Sequence, residues 1–371
     1  MKKLFLFFAL LCLAQGAFAQ EPPLRVALAG VRHGHVEGVF KNMAASNIEI
    51  VGVWEADPKV ASAFAKRFNI SPSIIYSDLG KMLDAVHPEA VAAYSSIYDH
   101  LAVVEAAAPR GIPVMVEKPL AVSAEHARKI AELARKHGII VMTNYQTTWA
   151  PSTTWAYDEI AAGKIGPLRK AIIYDGHSGP ANGRTPQAFF EFLSDPVQNG
   201  GGAVTDFGCY GANLLTWLMK GERPAKVYAD IRTHDPVSYP KVDDDATILV
   251  SYKDMEGVIN ASWAWPFDRK DMHLYGRDGY IFADTGNSVR YRYAPAKTET
   301  TLKLPALPEP CNNPYRYFAA WIRGKIAPKP YDLSSLENNI MVVEILDAAK
   351  QSAKESRAVA LDSENKQAVE E

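Results

Sequence analysis

The regular alternation of strand-like and helix-like segments between Leu24 and Val141 most constrains the fold of this chain. Short apolar runs such as EAVAAYSS and IPVMVEKP alternate with amphipathic stretches such as PKVASAFAKRF and SAEHARKIAELARKHG. A helix between two strands supplies the length that a parallel crossover needs, so this order predicts a parallel sheet with helices on both faces. We therefore expect a doubly wound, Rossmann-type domain over residues 24–143.

The pattern changes after residue 143. A helical segment near residues 154–162 is followed by the strand signals KAIIYDG, AKVYADIRTH, DATILVSYK, GVINASWAW and MHLYGRDGYIFAD. Strand signals in direct succession are typical of an antiparallel sheet. The sequence thus predicts a second α/β domain with a large, mostly antiparallel open sheet over residues 144–355. A loose, charged tail is expected over residues 356–371.

Residues 1–19 have the pattern of an export signal. Two lysines precede an apolar run that ends near Leu13, and the letters AFA that follow offer a small-x-small cleavage site. The apolar run is too short to span about 30 Å of hydrocarbon. We expect a signal peptide, a protein that is periplasmic or secreted, and no membrane anchor after cleavage.

Composition narrows the possible partners. The 371 residues carry a formal net charge of -2 without a basic cluster, which argues against nucleic-acid binding. After cleavage two cysteines remain, Cys209 and Cys311, which form neither a disulfide framework nor a zinc spacing. The acidic run at residues 243–245 is interpreted as a solvated strand entry, and no metal is expected.

The first strand–turn–helix, LRVALAGVRHGHVEGVF, is an incomplete dinucleotide fingerprint. The full fingerprint places glycines at G-x-G-x-x-G, whereas here Gly30, Arg32 and His35 occupy those positions and Gly34 comes one place early. Alone, the pattern equally fits an ordinary βα turn. We predict a nucleotide loop formed by these four residues and His33, in which the Arg32 guanidinium bonds the phosphates directly.

An acidic residue supports this interpretation. Glu55 ends the second strand about 25 residues after Gly30, where a Rossmann domain places the carboxylate that binds the adenosine ribose. A carboxylate there repels a 2′-phosphate and so favours NAD over NADP. The alternative role, a favourable acid at a helix N-terminus, suits Asp57 better than Glu55.

Two further motifs carry proton-transfer chemistry. VMVEKPLAV places Glu117, Lys118 and Pro119 at the carboxyl edge of the parallel sheet, where α/β proteins bind ligands. GGGAVTDFGCYGANLLTWLM places Asp206 and Tyr210 four residues apart, on one face of a helix. An ammonium beside a phenol lowers the tyrosine pKa, so Lys118, Asp206 and Tyr210 are predicted to be catalytic. Taken alone, the second motif equally fits a helix-start acid and a core tyrosine.

Together the motifs identify a resemblance to the Gfo/Idh/MocA oxidoreductases. It rests on the segments already quoted and on SSIYDH, GKIGPLRKA and NPYRYFAAWIRGK. The resemblance implies a nicotinamide cofactor in the interdomain cleft, Lys118 beside it, Asp206 and Tyr210 completing the site, and a homo-oligomer. In having a tyrosine at position 210, the chain resembles the branch of the family that acts on aldoses and related sugars. Ser95, His100 and Glu117 are assigned to the cofactor site.

Four residues are predicted to bind substrate. Tyr145 and Trp149 lie in NYQTTWAP, a segment that departs from the arginine-containing version of many relatives. His177 follows the KAIIYDG strand and equally fits a surface loop, and Asn213 lies one helical turn beyond Tyr210.

The expected function is NAD-dependent oxidation of a hydroxyl group on a carbohydrate or cyclic polyol. Tyr210, assisted by Lys118, removes the hydroxyl proton while Asp206 orients the substrate. Two alternatives remain open. The first alternative is a redox-neutral glycosidase or lyase that oxidises its sugar transiently. It is considered because an exported enzyme meets no pool of free NAD. The other is a non-catalytic sugar-binding module with a degenerate nucleotide loop.

Overall fold

The computed structural model describes residues 21–361 as two domains, each built on its own sheet. The predicted signal peptide lies outside the described residues. Within residues 21–361, no helix combines the length and the apolar character needed to cross a membrane.

The first sheet is entirely parallel, with the strand order β3-β2-β1-β4-β5-β6. The order reverses between β1 and β4, which confirms the predicted doubly wound topology and creates a crevice at the carboxyl ends of those strands. Its strands are β1 (Leu24–Ala29), β2 (Ile48–Trp54), β3 (Ile75–Tyr76), β4 (Ala90–Ala93), β5 (Val114–Glu117) and β6 (Val141–Asn144). Every residue of β4 and β5 is buried, because helices cover both faces of the sheet.

The helices of the first domain include two at the predicted segments PKVASAFAKRF and SAEHARKIAELARKHG. In chain order the helices are α1 (Val36–Lys41), α2 (Met43–Ser46), α3 (Pro58–Phe68), α4 (Leu79–Val86), α5 (His100–Ala107) and α6 (Ala124–His137). In α6, the Ser123 side chain accepts a hydrogen bond from the main-chain N–H of His126, and Gly138 ends the helix with φ of 64°. Both are the capping interactions that these residue types favour.

The second sheet has nine strands in the order β14-β13-β12-β11-β7-β10-β9-β8-β15. Only the β7–β10 pair is parallel, so the sheet is mostly antiparallel as predicted. The strands are β7 (Leu168–Gly176), β8 (Lys226–Arg232), β9 (Asp245–Ser251), β10 (Glu256–Ser262), β11 (Arg269–Gly276), β12 (Gly279–Thr285), β13 (Ser288–Tyr293), β14 (Thr300–Lys303) and β15 (Val359–Ala360).

The last strand corrects one expectation. A loose tail was expected from residue 356, but Val359 and Ala360 pair with Val227 and Lys226 at the edge of the sheet. The buried Val359 side chain joins the core of the second domain, which a tail that is charged overall does not reveal. Residues 362–371 lie outside the described range.

The helices of the second half do not all belong to the second domain. They are α7 (Pro151–Ala161), α8 (Gln187–Leu193), α9 (Ala203–Asp206), α10 (Gly208–Leu218), α11 (Pro314–Ile322) and α12 (Leu336–Glu355). Tyr315, Tyr317 and Phe318 of α11 lie in the core of the first domain, and the hydroxyls of Tyr94 and Tyr315 are 2.9 Å apart. The predicted boundary, which placed all of residues 144–355 in the second domain, is therefore wrong for this helix.

Candidate active site

A buried ion pair joins the two domains at the predicted catalytic residues. Lys118 follows the end of β5 and precedes Pro119 through a cis peptide bond, while Asp206 is the last residue of α9. The Lys118 ammonium contacts the Asp206 carboxylate and donates to its main-chain carbonyl at 3.0 Å. The indole N–H of Trp263 donates to the second carboxylate oxygen at 3.0 Å. Both oxygens of Asp206 are thus held by donors.

Both members of this pair, Lys118 and Asp206, are ionised. Burial alone would lower the pKa of Lys118, but the Asp206 carboxylate raises it above its usual value. Burial would raise the pKa of Asp206, and the Lys118 ammonium lowers it below its usual value instead. Each ion stabilises the other in a region with little solvent, so removal of one partner leaves an uncompensated buried charge.

Tyr210, on α10, lies beside this pair. Its ring centroid is 5.3 Å from the Lys118 ammonium, and the Tyr145 ring packs edge-on against it at 5.3 Å. Burial, followed by the nearby Asp175 carboxylate, raises the pKa of Tyr210 well above its usual value. The expectation that the Lys118 ammonium lowers this pKa is not met, because burial and the surrounding acidic groups outweigh it.

A cavity of about 760 Å³ opens next to these residues. Its walls come from the carboxyl end of β7, the start of β11 and the turn after α9. They include Gln146, Asp175, His177, Phe207, Lys270 and Asp284. The Lys270 ammonium, which lines the cavity, lies 3.8 Å from the ring centroid of Tyr210, which is itself buried behind the cavity wall. Its volume is that of a site for a small ligand.

Four residues around Tyr210 were not predicted from the sequence. Asp175 and Lys270 face each other across the β7–β11 pair, Gln146 accepts a hydrogen bond from Lys270 at 3.0 Å, and Trp263 holds Asp206. One sequence feature could have indicated Asp175 as a site residue, namely its position as an acidic residue near the end of an apolar strand. The remaining three become visible only when strands distant in sequence are paired.

The GGG turn is shaped by the acidic run at residues 243–245. Asp243 accepts hydrogen bonds from the main-chain N–H groups of Gly202 and Val204, both at 2.7 Å. A side chain at Gly202 would overlap the main chain of Asp243, so only glycine fits there. Asp243 was interpreted as part of a solvated strand entry, but it fixes the turn that presents Asp206.

The nucleotide turn requires its first glycine. Gly30 has φ of 82°, and a Cβ added there would lie 2.6 Å from the Cα of Ser95. The turn after β1 therefore passes too close to the segment after β4 for any side chain, which is the role of the first glycine in a dinucleotide turn. A cavity of about 460 Å³ lies against the same turn and includes Arg32, His33 and Asp57. These features fit a dinucleotide.

Replacing Gly30 by alanine is expected to destabilise the protein by about 1–3 kcal/mol, because a non-glycine residue is strained at this φ. The crowded Cβ adds to this cost and should weaken NAD binding. Chemical denaturation and calorimetric titration measure the two effects. The matched control is Gly38→Ala in the following helix, where an added Cβ meets nothing within 4 Å. Equal stability of the two variants would contradict the assignment.

Arg32 lines the cavity at the nucleotide turn and pairs with two carboxylates there, and its predicted contact with the phosphates stays a prediction. Its Nε is 3.5 Å from Glu55 Oε1, and its terminal nitrogen is 3.4 Å from Asp57 Oδ2. Glu55 also accepts hydrogen bonds from the main-chain N–H groups of Val31 and Asp57, at 3.3 and 3.1 Å. The guanidinium thus lies between Glu55 and Asp57, because two carboxylates within reach attract it.

His33, His35 and Glu117 form a cluster next to the turn, in which His33 and Glu117 are buried and His35 is partly exposed. His35 Nδ1 lies 2.9 Å from Glu117 Oε2, and the Asn144 amide donates to Oε1 at 2.7 Å. Burial opposes ionisation, but the nearby His35 imidazole lowers the pKa of Glu117 to about 2. The three residues offer ligand atoms within 4.8 Å of one another, a set that could hold a metal ion, although the sequence predicted none.

Helix α8 covers the nucleotide turn from the second domain. The Phe189 ring packs on the His33 ring at a centroid distance of 4.8 Å. A Cβ on Gly34 would lie 2.8 Å from the Phe189 ring, so glycine is required here for helix packing. This function of Gly34 differs from the predicted contact with the coenzyme.

Two residues assigned to the cofactor site, Ser95 and His100, are buried in the protein interior. His100 is fully buried, its Nδ1 lies 3.1 Å from the Leu120 carbonyl, and burial lowers its pKa to about 4. The Ser95 hydroxyl donates to the Ser96 carbonyl at 3.0 Å and is also buried. A direct contact of either side chain with a coenzyme is therefore not what the structure shows.

The four predicted substrate residues are separated. His177 lines the 760 Å³ cavity. Trp149 lies outside that cavity, and its indole N–H donates to the Asn144 side chain at 2.9 Å. Tyr145 is fully buried behind Tyr210. Asn213 is also fully buried and donates to the Leu333 carbonyl at 2.7 Å, because its turn of α10 faces α12. The structure contradicts the prediction for Asn213, whereas Tyr145 packs against Tyr210 and its assignment stays a prediction.

Comparison with known proteins places this arrangement in a family. Residues 24–145 match the Gfo/Idh/MocA model described as an oxidoreductase family with an NAD-binding Rossmann fold, and residues 154–282 match the Gfo/Idh/MocA C-terminal domain. The chain belongs to the Gfo/Idh/MocA family, as the motifs predicted.

Individual relatives are distant. The rhizopine catabolism protein MocA of Rhizobium meliloti is 30% identical over 61% of this chain and 66% of its own length. Trans-1,2-dihydrobenzene-1,2-diol dehydrogenase of Mus musculus is 27% identical over 61% of this chain and 64% of its own length. The match therefore spans slightly less than two thirds of each of these relatives.

Solved structures share the fold. The aldose-aldose oxidoreductase of Caulobacter crescentus, complexed with glycerol, superimposes with a TM-score of 0.76 at 17% identity, over 91% of this chain and 100% of its own. The inositol dehydrogenase homolog of Azotobacter vinelandii, complexed with NAD⁺, gives 0.77 at 19% identity, over 91% and 97%.

Proposed function

We propose that this protein is an NAD-dependent oxidoreductase that acts on a hydroxyl carbon of a neutral carbohydrate or cyclic polyol. The observation that carries the proposal is the convergence of Lys118 from the first domain with Asp206 and Tyr210 from the second, beside a cavity of about 760 Å³. Proton transfer from a substrate hydroxyl needs an acceptor held next to that hydroxyl. Proteins of similar structure, among them an inositol dehydrogenase homolog and a levoglucosan dehydrogenase, support the same substrate class.

The chain's own residues perform the proton chemistry. In its phenolate form Tyr210 accepts the hydroxyl proton and becomes the neutral phenol, so turnover is expected to rise with pH, because burial and Asp175 raise the pKa of this phenol. The buried ammonium of Lys118 stabilises the developing negative charge on the substrate oxygen. Asp206, fixed by Lys118 and Trp263, holds the ammonium in place. NAD, held by the turn at Gly30 and by Glu117, supplies the hydride acceptor when it is bound.

The charge distribution of the cavity supports a neutral substrate. Arg269 donates to both oxygens of Asp271 at 2.8 and 2.6 Å, and Arg290 donates to both oxygens of Asp284 at 2.7 and 2.9 Å. A site for a carboxylate or phosphate offers an unpaired guanidinium that makes this bidentate contact with the ligand. Since both arginines already make it internally, we infer that uncharged hydroxyl groups occupy the cavity.

The experiment has two stages. Calorimetric titration of the full chain with NAD and NADP should show binding of NAD. Incubation with NAD and a panel of aldoses and inositols should then accumulate NADH with at least one member, whereas matched uronic acids and sugar phosphates should react poorly. Absence of NAD binding would leave the sugar-binding module as the correct function. A preference for charged sugars would contradict the neutral substrate.

The predicted signal peptide favours a second candidate, the redox-neutral glycosidase or lyase. Outside the cytoplasm a dehydrogenase lacks a pool of free NAD, while a reaction that returns its hydride within each turnover needs only the bound coenzyme. Product analysis separates the two candidates. Sugar release without a change in the NAD absorbance would support the redox-neutral reaction, and stoichiometric NADH would support the dehydrogenase.

A further inference from the structure

A second carboxylate–ammonium pair lies next to Tyr210. The Lys270 ammonium is 3.5 Å from Asp175 Oδ1 and 3.8 Å from the Tyr210 ring centroid. It also donates to Gln146 Oε1 at 3.0 Å, which fixes its position at the wall of the cavity. Asp175 and Gln146 thus hold the Lys270 ammonium next to the Tyr210 ring.

Asp175 is unusual for a buried carboxylate. The residue is 1% exposed, and neither carboxylate oxygen accepts a hydrogen bond within residues 21–361. A buried carboxylate normally receives several donors, because its desolvation is costly. Here the Lys270 ammonium is the nearest compensating charge, so the carboxylate and the ammonium depend on each other.

Strand pairing explains why the pair exists. Asp175 on β7 and Lys270 on β11 are direct partners in the antiparallel register, and Tyr210 lies above the ends of both strands. Opposite charges at directly facing positions stabilise a strand pair. The arrangement places one positive and one negative charge near the same phenol.

We propose that Asp175 and Lys270 act together as positioning residues that control the protonation of Tyr210. Lys270 favours the phenolate that forms when the proton leaves, and Asp175 favours the phenol. The inference rests on the proposed role of Tyr210 as proton acceptor. It adds a second control to the Lys118–Asp206 pair, in which the lysine charge is already balanced.

Several charged and titratable side chains surround Tyr210 and act on its pKa. Burial and Asp175 are the two largest influences that raise its pKa. The charged and titratable side chains that face it or act on it are Glu117, Lys118, Tyr145, Asp175, Asp206, Cys209 and Lys270. Among them Asp175 and Lys270 can be changed without breaking the interdomain ion pair.

The test compares single and double variants by two measurements. Asp175→Asn removes the anion, so the alkaline-side rise of kcat with pH should move down by about one pH unit. Lys270→Met removes the cation, so the same rise should move up, and Lys270→Arg should restore it. Lys170→Met on β7, which removes an exposed ion pair with Glu256 at 2.8 Å, should leave the profile unchanged.

An NMR titration separates this inference from the proposed function. Isotope-labelled tyrosine reports each phenol directly, and Y210F assigns the Tyr210 signal without requiring turnover. The midpoint should fall in Asp175→Asn and rise again when Lys270→Met is added. Shifts of this kind in a protein without activity would support the charge pair and contradict the oxidoreductase. Active protein whose Tyr210 midpoint and kcat profile ignore both substitutions would overturn the charge-pair proposal.

Discussion

Replacing Tyr210 by phenylalanine is expected to lower turnover by a factor of about 10² to 10⁴ while leaving the NAD dissociation constant unchanged. The substitution removes only the phenolic oxygen that accepts the substrate proton. The ring, its contact with Tyr145 at 5.3 Å and the Lys118–Asp206 pair remain in place. Steady-state kinetics with the best polyol from the substrate panel, together with calorimetric titration, measures both quantities.

The matched control is Tyr145→Phe. Its hydroxyl is buried close to Tyr210 and has no hydrogen-bond partner within the described chain, so its removal should cost little. Turnover within a few-fold of the unmodified protein is expected. If Y210F retains full turnover, or if both substitutions reduce it equally, Tyr210 is not the proton acceptor.

Replacing Lys118 by methionine should abolish measurable turnover and also destabilise the fold by about 3–5 kcal/mol. The reason is that the Asp206 carboxylate, only 8% exposed, would lose the ammonium that compensates its charge. Chemical denaturation reports the free energy of unfolding, and the NADH assay reports turnover.

The double variant K118M/D206N distinguishes the two effects. It removes both buried charges, so most of the lost stability should return while turnover stays absent. Recovery of both would show that Lys118 serves only the fold. Failure of the single variant to lose stability would show that the pair is not held as the structure describes.

The sheet topology was predictable because it depends on local periodicity. Apolar runs and helix caps such as Ser123 and Gly138 are written in adjacent letters, and the structure follows them. These local features need no knowledge of which distant segments meet. The convergence of Lys118 with Asp206 and Tyr210 was instead implied by the family resemblance, and the structure brings the three side chains together.

Charge states were not predictable in the same way. The pKa of Tyr210 depends first on its burial and then on the Asp175 carboxylate, and both follow from how distant segments pack. Likewise, Arg32 turned to Glu55 and Asp57 because both acids lie within reach after folding. Asp175 and Lys270 meet only through the pairing of β7 with β11.

Helix α11 has a consequence for dissecting the protein. Its Tyr315 and Phe318 complete the core of the first domain, and the Tyr94–Tyr315 hydroxyl contact is buried. A fragment that stops at residue 145, where the family match to the first domain ends, would expose this surface to water. The nucleotide-binding half is therefore not an autonomous module, and grafting it onto another catalytic domain would require a segment encoded far downstream.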